Sequence, residues 1–416
     1  MKILQLQMHE NSGAGKAALR LHHGLLKKKI DSVVMVSQKS SDLASVLVPN
    51  KWSKLSKQVQ QIIVDKFVAR SGISRDDTFS VNFTPSLLDR DIKKVNPDLI
   101  NLHWIGWEFL KIEDLKRLDL PLVWTFHDMW AFTGGCHYSG NCDRYTKSCG
   151  SCPQLHSSTD RDLSRWVWQR KYQAWKELNL TIVTPSKWLA ECARNSSLCQ
   201  GLRIEVIPNG LDTQIYKPIN KQQARNVLGL PLDAQIILFG AIGATSAPRK
   251  GFQLLKPALQ KLSQNLNEGT SAPKYRIELV IFGASEPINP PDLAFKTNYL
   301  GKLNDDITLA LVYAAADVFV APSIEDNLPN TVLEALACGT PCVSFDIGGM
   351  SDLIEHQQNG YLAKPFDISD LANGIAWVLA RERHQKLCER SREKVEQFTS
   401  QLQAEQYATL YQELLH

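Results

Sequence analysis

Short apolar runs alternate along this chain with longer stretches in which apolar residues return at helical spacing. In the first half, KILQLQM (2–8), DSVVMVS (31–37), DLINLHW (98–104), LVWTFHD (122–128), LTIVTPS (180–186) and RIEVIPN (203–209) read as strands. GKAALRLHHGLLKKK (15–29) has the spacing of a helix. After PNGLDTQIYKP (208–218) the pattern starts afresh with QIILFGA (235–241), YRIELVIFGA (275–284), NYLGKL (298–303), DVFVAPS (317–323) and TPCVSFDIG (340–348). Short β-rich runs separated by helices predict parallel sheets with right-handed crossovers. The expected fold class is α/β, with two Rossmann-like, doubly wound parallel-sheet domains. Their bounds are placed at 1–207 and 208–391, with a last helix, 392–416, packing back on the first domain. A length of 416 residues suits two cores better than one.

Composition narrows the class. A chain that is 44% hydrophobic and 22% charged is not disordered, and a net charge of +4 makes no case for nucleic acid. Residues 1–200 carry a net +9 and the remainder a net −5, so the two domains are expected to meet different partners. An anionic acceptor or a membrane surface suits the first; plain solvated charge suits it as well. MKILQLQM reads as a strand rather than a secretory signal. No run approaches the roughly 18 apolar residues that cross a bilayer. An odd number of cysteines, nine, points to a reducing, cytoplasmic setting.

Residues 51–70, KWSKLSKQVQQIIVDKFVAR, interrupt the alternation. Trp52, Leu55, Val59, Ile62, Ile63 and Phe67 recur at helical spacing, against Lys51, Lys54, Lys57, Lys66 and Arg70. Such a helix packs on its sheet or lies in an anionic lipid interface, at the inner face of a plasma membrane.

Open parallel sheets bind ligands beyond the carboxyl ends of their strands. NSGAGKAALRL (11–21) follows the first strand, and Gly13 and Gly15 allow a tight turn into a helix start that suits an oxyanion. The dinucleotide fingerprint is incomplete, because Ala18 takes its third glycine position. LFGAIGATSAPRKGFQLL (238–255) places Arg249 and Lys250 before a new helix, where two cations can hold a diphosphate. APSIEDNLPNTVLEALACGTPCV (321–343) sets Glu325 and Asp326 in a loop, Asn330 and Thr331 at a helix start and Glu334 one turn inside. Carboxylates repel a diphosphate but accept from paired sugar hydroxyls. DRD (89–91) has the acidic spacing of a metal site, yet it falls in a helical stretch and reads as a solvated face.

The stretch 126–155, FHDMWAFTGGCHYSGNCDRYTKSCGSCPQL, ends a strand with His127 and Asp128 and then holds Cys136, Cys142, Cys149 and Cys152. Four thiolates close the coordination of a structural zinc and leave no open position for catalysis. Disulfides and simple buried thiols are the alternatives. His127 reads as a site residue or a satisfied strand-end histidine, and Asp128 as a cap of the following turn.

The segment 321–343 resembles the signature of glycosyltransferase family 4, in which two acidic residues stand eight apart before EAxAxGxPVV. Asp326 and Glu334 have that spacing in LEALACGTPCV (333–343). VIPNGLD, VTPSKWL and RKGF are similar to other family segments, and the cysteine stretch resembles a subgroup near the colanic-acid and exopolysaccharide glycosyltransferases. The resemblance implies a GT-B fold, two domains facing a central cleft, and retaining transfer of a sugar to a saccharide or lipid-linked acceptor in surface-polysaccharide assembly. The implied donor is a UDP-, GDP- or ADP-linked sugar, with no cofactor required for catalysis. It implies Glu334 for the ribose, Asp326 for the transferred sugar, and Lys250 with Arg249 for the diphosphate. Asn330 and Thr331 N–H groups would lie beside the diphosphate, the Gly13–Gly15 loop opposite, and His127 under the donor sugar. Ala241 stands where the family often has Arg, Asp326 where it has Glu, and Pro329 where Gly is common. A non-catalytic nucleotide-sugar binder therefore stays open; a dinucleotide-dependent oxidoreductase is opposed by the missing glycine.

Overall fold

The structure, a computed structural model, describes residues 1–49, 79–86, 88–268 and 276–416. The basic stretch 51–70 lies outside them. Two compact units are formed: Met1–Gly210 with Ser400–His416, and Leu211–Thr399.

Unit 1 runs β1 (Lys2–His9), α1 (Gly13–Lys27), β2 (Asp31–Gln38), β3 (Val46–Leu47), α2 (Asp89–Val95), β4 (Leu99–Leu102), β5 (Leu122–Thr125), α3 (Leu163–Trp175), β6 (Leu180–Thr184), α4 (Lys187–Asn195) and β7 (Arg203–Val206). Unit 2 follows with α5 (Lys221–Leu228), β8 (Ala234–Gly240), α6 (Phe252–Glu268), β9 (Arg276–Phe282), β10 (Lys296–Tyr299), α7 (Asp306–Ala315), β11 (Val318–Ala321), α8 (Asn330–Ala337), β12 (Cys342–Phe345), α9 (Met350–Leu353), β13 (Gly360–Ala363), α10 (Ile368–Leu379) and α11 (Arg381–Val395). The chain then returns to unit 1 as α12 (Ser400–Leu415).

The first sheet has the order β3-β2-β1-β4-β5-β6-β7 and the second β10-β9-β8-β11-β12-β13. All pairings within them are parallel. Every residue of β4, β5, β6, β11 and β12 is buried, as strands covered on both faces require. Both sheets reverse direction of winding once, between β1 and β4 and between β8 and β11. Those are the switch points where a doubly wound sheet opens a crevice at its carboxyl edge.

α12 seals the back of unit 1. Ala404, Tyr407, Leu410 and Tyr411 pack with Ile3, Leu21, Leu25 and Val123. The Tyr407 hydroxyl bonds Thr125 at 2.8 Å, and Asn101 donates to Tyr411 at 2.8 Å. Residues 392–399 belong with unit 2. The Arg392 guanidinium donates to the carbonyls of Thr213, Tyr216 and Ala337, while Val395 and Phe398 join that unit's core. Two short strands, β3 and β13, were not marked by the apolar pattern, and β10 starts two residues before the run 298–303.

Candidate functional site

Each switch point carries a group of polar side chains. In unit 2, β8 ends at Gly240 and the chain turns through Pro248–Lys250 to Gly251. Gly251 has φ 76°, and a Cβ there would stand 1.7 Å from the Pro322 carbonyl oxygen. Only glycine allows this approach. It presses the Arg249–Lys250 turn against the loop leaving β11, where the Ile324 N–H donates to the Arg249 carbonyl at 2.8 Å.

Asp326 is the centre of this group. It is 6% exposed, and its Oδ2 accepts from Lys250 Nζ at 2.7 Å and from Ser323 Oγ at 3.3 Å. Arg249 stands 3.2 Å from the same oxygen and donates to the Glu325 carbonyl at 2.7 Å. The Asn327 N–H donates to Oδ1 at 3.2 Å. Burial by itself would raise the Asp326 carboxyl; Lys250 and then Arg249 outweigh it and hold the group at about 2. Burial lowers Lys250 despite the opposing pull of Asp326. The sequence reading gave Lys250 and Asp326 separate contacts; here they are one ion pair.

α8 begins after Pro329 with no side chain capping it, so the amides of Asn330 and Thr331 open its first turn. Glu334, 3% exposed, is one turn further in and accepts from the Tyr313 hydroxyl at 3.0 Å. Burial, then the Glu334 charge, keep the Tyr313 phenol far above its ordinary range. Tyr313 gave no sequence signal: it reads as one more apolar position of α7.

In unit 1, Ser12 caps α1 by accepting from the Gly15 N–H at 3.0 Å. A Cβ at Gly15 would meet the His9 carbonyl oxygen at 2.1 Å, so this glycine is demanded by packing. Gly13 is exposed, with nothing within 4 Å of where its Cβ would be.

His127 follows β5 and joins a buried polar chain. Its Nε2 is 3.0 Å from His103 Nδ1, and His103 Nε2 is 3.0 Å from Gln5 Oε1. Gln5 donates onward to Ser32, which also bonds His22. With Gln5 Oε1 accepting from His103 Nε2, His103 Nδ1 accepts from His127 Nε2. Burial pulls His127 down to about 4 against the opposing pull of Asp128, and burial, then His127, pull His103 well below the ordinary range. Both rings are neutral at neutral pH. His103 has a trace in the sequence, since NLHW ends β4 as TFHD ends β5.

Asp128 ties this centre to the cysteine loop. Oδ1 accepts from the Trp130 N–H at 2.9 Å; Oδ2 takes Trp104 Nε1 at 2.6 Å and His137 Nδ1 at 2.7 Å. His137 Nε2 is 2.8 Å from Ser80 Oγ. The series Ser80–His137–Asp128 has the connectivity of a nucleophilic triad. Ser80 is 2% and His137 1% exposed, so the hydroxyl faces no substrate and the series is a structural tie. Trp107, beside Trp104 in an edge contact at 4.9 Å, is 51% exposed with φ 49°.

Cys136, Cys142, Cys149 and Cys152 line one void of about 20 Å³. None of the nine cysteines is in a disulfide, and among the described residues no three His, Cys, Asp or Glu side chains are placed to hold a metal ion. Asp89 and Asp91 open α2, and their partners include Arg117 and Lys94. A hollow of about 370 Å³ beside Arg225, Asp317 and His384 lies at the amino ends of β8 and β11, the wrong edge for a doubly wound site.

Comparison with known proteins gives two family matches: "Glycosyltransferase Family 4" over residues 11–215 and "Glycosyl transferases group 1" over 235–381. An uncharacterised glycosyltransferase of Methanocaldococcus jannaschii is 25% identical over 314 residues, 70% of this chain and 75% of its own. A D-inositol 3-phosphate glycosyltransferase of Segniliparus rotundus is 30% identical over 285 residues, 66% of this chain and 56% of its own. The sulfoquinovosyl transferase SQD2 of Arabidopsis thaliana is 25% identical over 343 residues, 79% of this chain and 60% of its own. Most of these curated relatives are thus matched over less than two thirds of their length. Among solved structures, sucrose-phosphate synthase of Thermosynechococcus elongatus superposes with TM-score 0.68 at 18% identity, covering 100% of this chain and 99% of that one. Anabaena HepE in complex with UDP-glucose does so with TM-score 0.63 at 17% identity, covering 99% and 100%. They share the GT-B architecture of two parallel-sheet domains.

Proposed function

Because the chain belongs to the family 4 glycosyltransferases, we propose that it moves a sugar from a nucleoside-diphosphate sugar to a saccharide or lipid-linked saccharide, with retention, in surface-polysaccharide assembly. The observation that carries the donor half is the pair Arg249 and Lys250, locked to one buried carboxylate beside the uncapped start of α8. That carboxylate holds both cations in place where the diphosphate would lie. Breaking the anomeric bond builds negative charge on the departing phosphate, and fixed cations and helix-start amides stabilise it without reorganising. The leaving phosphate takes the acceptor proton, so no hydrolase-type carboxylate pair is needed. Turnover is accordingly expected without added Mg²⁺ or Mn²⁺.

Glu334 takes the ribose hydroxyls in this reading. Asp326 holds the cations, which leaves Oδ1 the better placed of its oxygens for a sugar hydroxyl. His127 acts on the transferred sugar as a neutral hydrogen-bonding ring. Trp107 offers an exposed aromatic face to a saccharide acceptor. The basic stretch 51–70 would bring unit 1 to an anionic lipid surface.

HepE is solved with UDP-glucose, so a uridine-linked sugar is the first donor to test. A thermal-shift screen across UDP-, GDP- and ADP-sugars is expected to show one nucleotide raising the melting temperature, since a ligand of the folded state stabilises it. Flat responses to all three would reject the reading. The Asp326 network, with both cations on a carboxylate, also suits a protein that binds the donor without turning it over. Labelled-sugar transfer by the unaltered chain, lost in Lys250→Met, decides against that alternative.

A further inference from the structure

We propose that Cys136, Cys142, Cys149 and Cys152 bind one structural zinc ion, which clamps the loop carrying His137 and so fixes Asp128 next to His127. The four thiols come from three turns of one segment, yet all line the same void of about 20 Å³. That is room for one occupant of about the size of a water. A water fits it poorly, because the surface facing the void is almost wholly apolar, the four sulfurs included. Zinc at about 2.3 Å from each sulfur would draw the thiols the remaining way inward.

Cys149, Gly150 and Ser151 all have positive φ, at 52°, 98° and 44°, which curls the C-x2-C turn around the void. Amides of Gln154 and Leu155 face the Cys152 sulfur, and that of Gly134 faces Cys149. Burial, the larger effect, still holds both free thiols above their usual range, and the N–H groups are placed to donate to metal-bound sulfur.

Lys171 supplies the second, independent observation. It is fully buried, and its ammonium lies over the Trp130 ring at 3.9 Å, bonded to the carbonyls of Trp130 and Thr133. No carboxylate is bonded to it. A buried ammonium needs nearby negative charge. Asp128 supplies part of it, and a zinc ion with four thiolates, at charge −2, would add to it. Arg165 and Arg144 stand at the rim on the carbonyls of Cys149 and Gly150.

Binding replaces each S–H by an S–Zn bond and releases one proton per thiol to solvent, with no change of oxidation state. The loop then reaches the candidate site through covalent continuity: Cys136 precedes His137, whose ring bonds Asp128.

Elemental analysis of protein purified in reducing, chelator-free buffer is expected to give one zinc per chain. Cys149→Ser and Cys152→Ser should lose that equivalent, and Cys192→Ser should keep it. Cobalt exchanged into the unaltered chain should show thiolate-to-metal charge transfer and the intense visible bands of a tetrahedral sulfur site. This readout stands even if the serine variants do not fold. Lys171→Met should weaken metal affinity roughly 10–100-fold while leaving the cobalt bands in place, as loss of an outer-shell partner does. Metal-free protein whose cobalt form lacks the thiolate band would overturn the proposal. So would non-reducing peptide mapping that finds the four cysteines in disulfides.

Discussion

Replacing Lys250 with methionine keeps the side chain's bulk and removes the ammonium that Asp326 holds at 2.7 Å. The Asp326 carboxyl sits at about 2 rather than its ordinary 3.8, and that gap converts to about 2 kcal/mol of folding free energy. The folded carboxyl is the stronger acid. Its contribution is therefore complete above about pH 4 and drains away as pH falls through about 2. In Lys250→Met, Arg249 and Ser323 stay on the carboxylate, so the loss at neutral pH should be about 1–2 kcal/mol. Asp326→Asn leaves both cations without an anion and should cost about 3–5 kcal/mol. The double variant removes the pair together, so its cost should fall short of the sum by about 1–3 kcal/mol.

Hydrogen exchange of peptides from residues 211–399 measures these losses in unit 2 alone, which matters because a chain of two units need not unfold in one step. The same variants separate folding from chemistry. Lys250→Met should lower turnover by about 10²–10³, the usual cost of losing one well-placed donor to a developing anion. Two results would refute this reasoning: single-variant costs that add to within about 0.5 kcal/mol, or a Lys250→Met chain with an unchanged acid limb.

Glu334→Ala should weaken binding of the matching nucleotide about 10–100-fold by calorimetry, the worth of hydrogen bonds to a charged group; an unchanged affinity would remove Glu334 from the ribose. His127 should show no titration near pH 6.5 in nitrogen-resolved NMR, because the folded ring favours the neutral form; the stability this confers holds above that pH and is lost as pH falls through about 4. Gly251→Ala, with φ 76° and its new Cβ 1.7 Å from a carbonyl oxygen, should cost at least about 1–3 kcal/mol, seen as a lower melting temperature for unit 2. Trp107→Ala should raise the acceptor KM and leave donor affinity alone; a change confined to the donor would contradict its assignment.

What the chain reveals by itself follows the range of each interaction. Strand periodicity is local, so β1, β4, β8 and β11 were legible; the switch points between them were not, because they depend on which strands pair. Asp326 and Glu334 share a loop and the helix after it, and their spacing shows directly. The Lys250–Asp326 pair is not legible, because the partners are 76 residues apart and meet only where Gly251 lets two turns touch. His103 and Gln5 escaped for the opposite reason. Each stands in or beside an apolar run, where one polar residue reads as noise until the neighbouring strand supplies its partner. β3 is two residues long and β13 has only its two end residues fully buried, too little pattern for either to register.

The two switch points solve the cost of burial differently, and the difference assigns them different tasks. A buried charge survives only with a partner. Unit 2 keeps its charges and pairs them, two cations on one carboxylate, so the cations are fixed in place, as an anionic ligand requires. Unit 1 sets an uncharged chain beside the Asp128 carboxylate: burial keeps His103 and His127 neutral, and Gln5 and Ser32 extend a series of neutral donors and acceptors. A neutral chain has little attraction for a diphosphate but can orient hydroxyl groups. Raising ionic strength should therefore weaken donor affinity, because the ionic contacts are screened. It should leave the hydrogen-bonded contacts of His127 almost untouched, so the ratio of rates for His127→Ala and the unaltered chain should not change with salt.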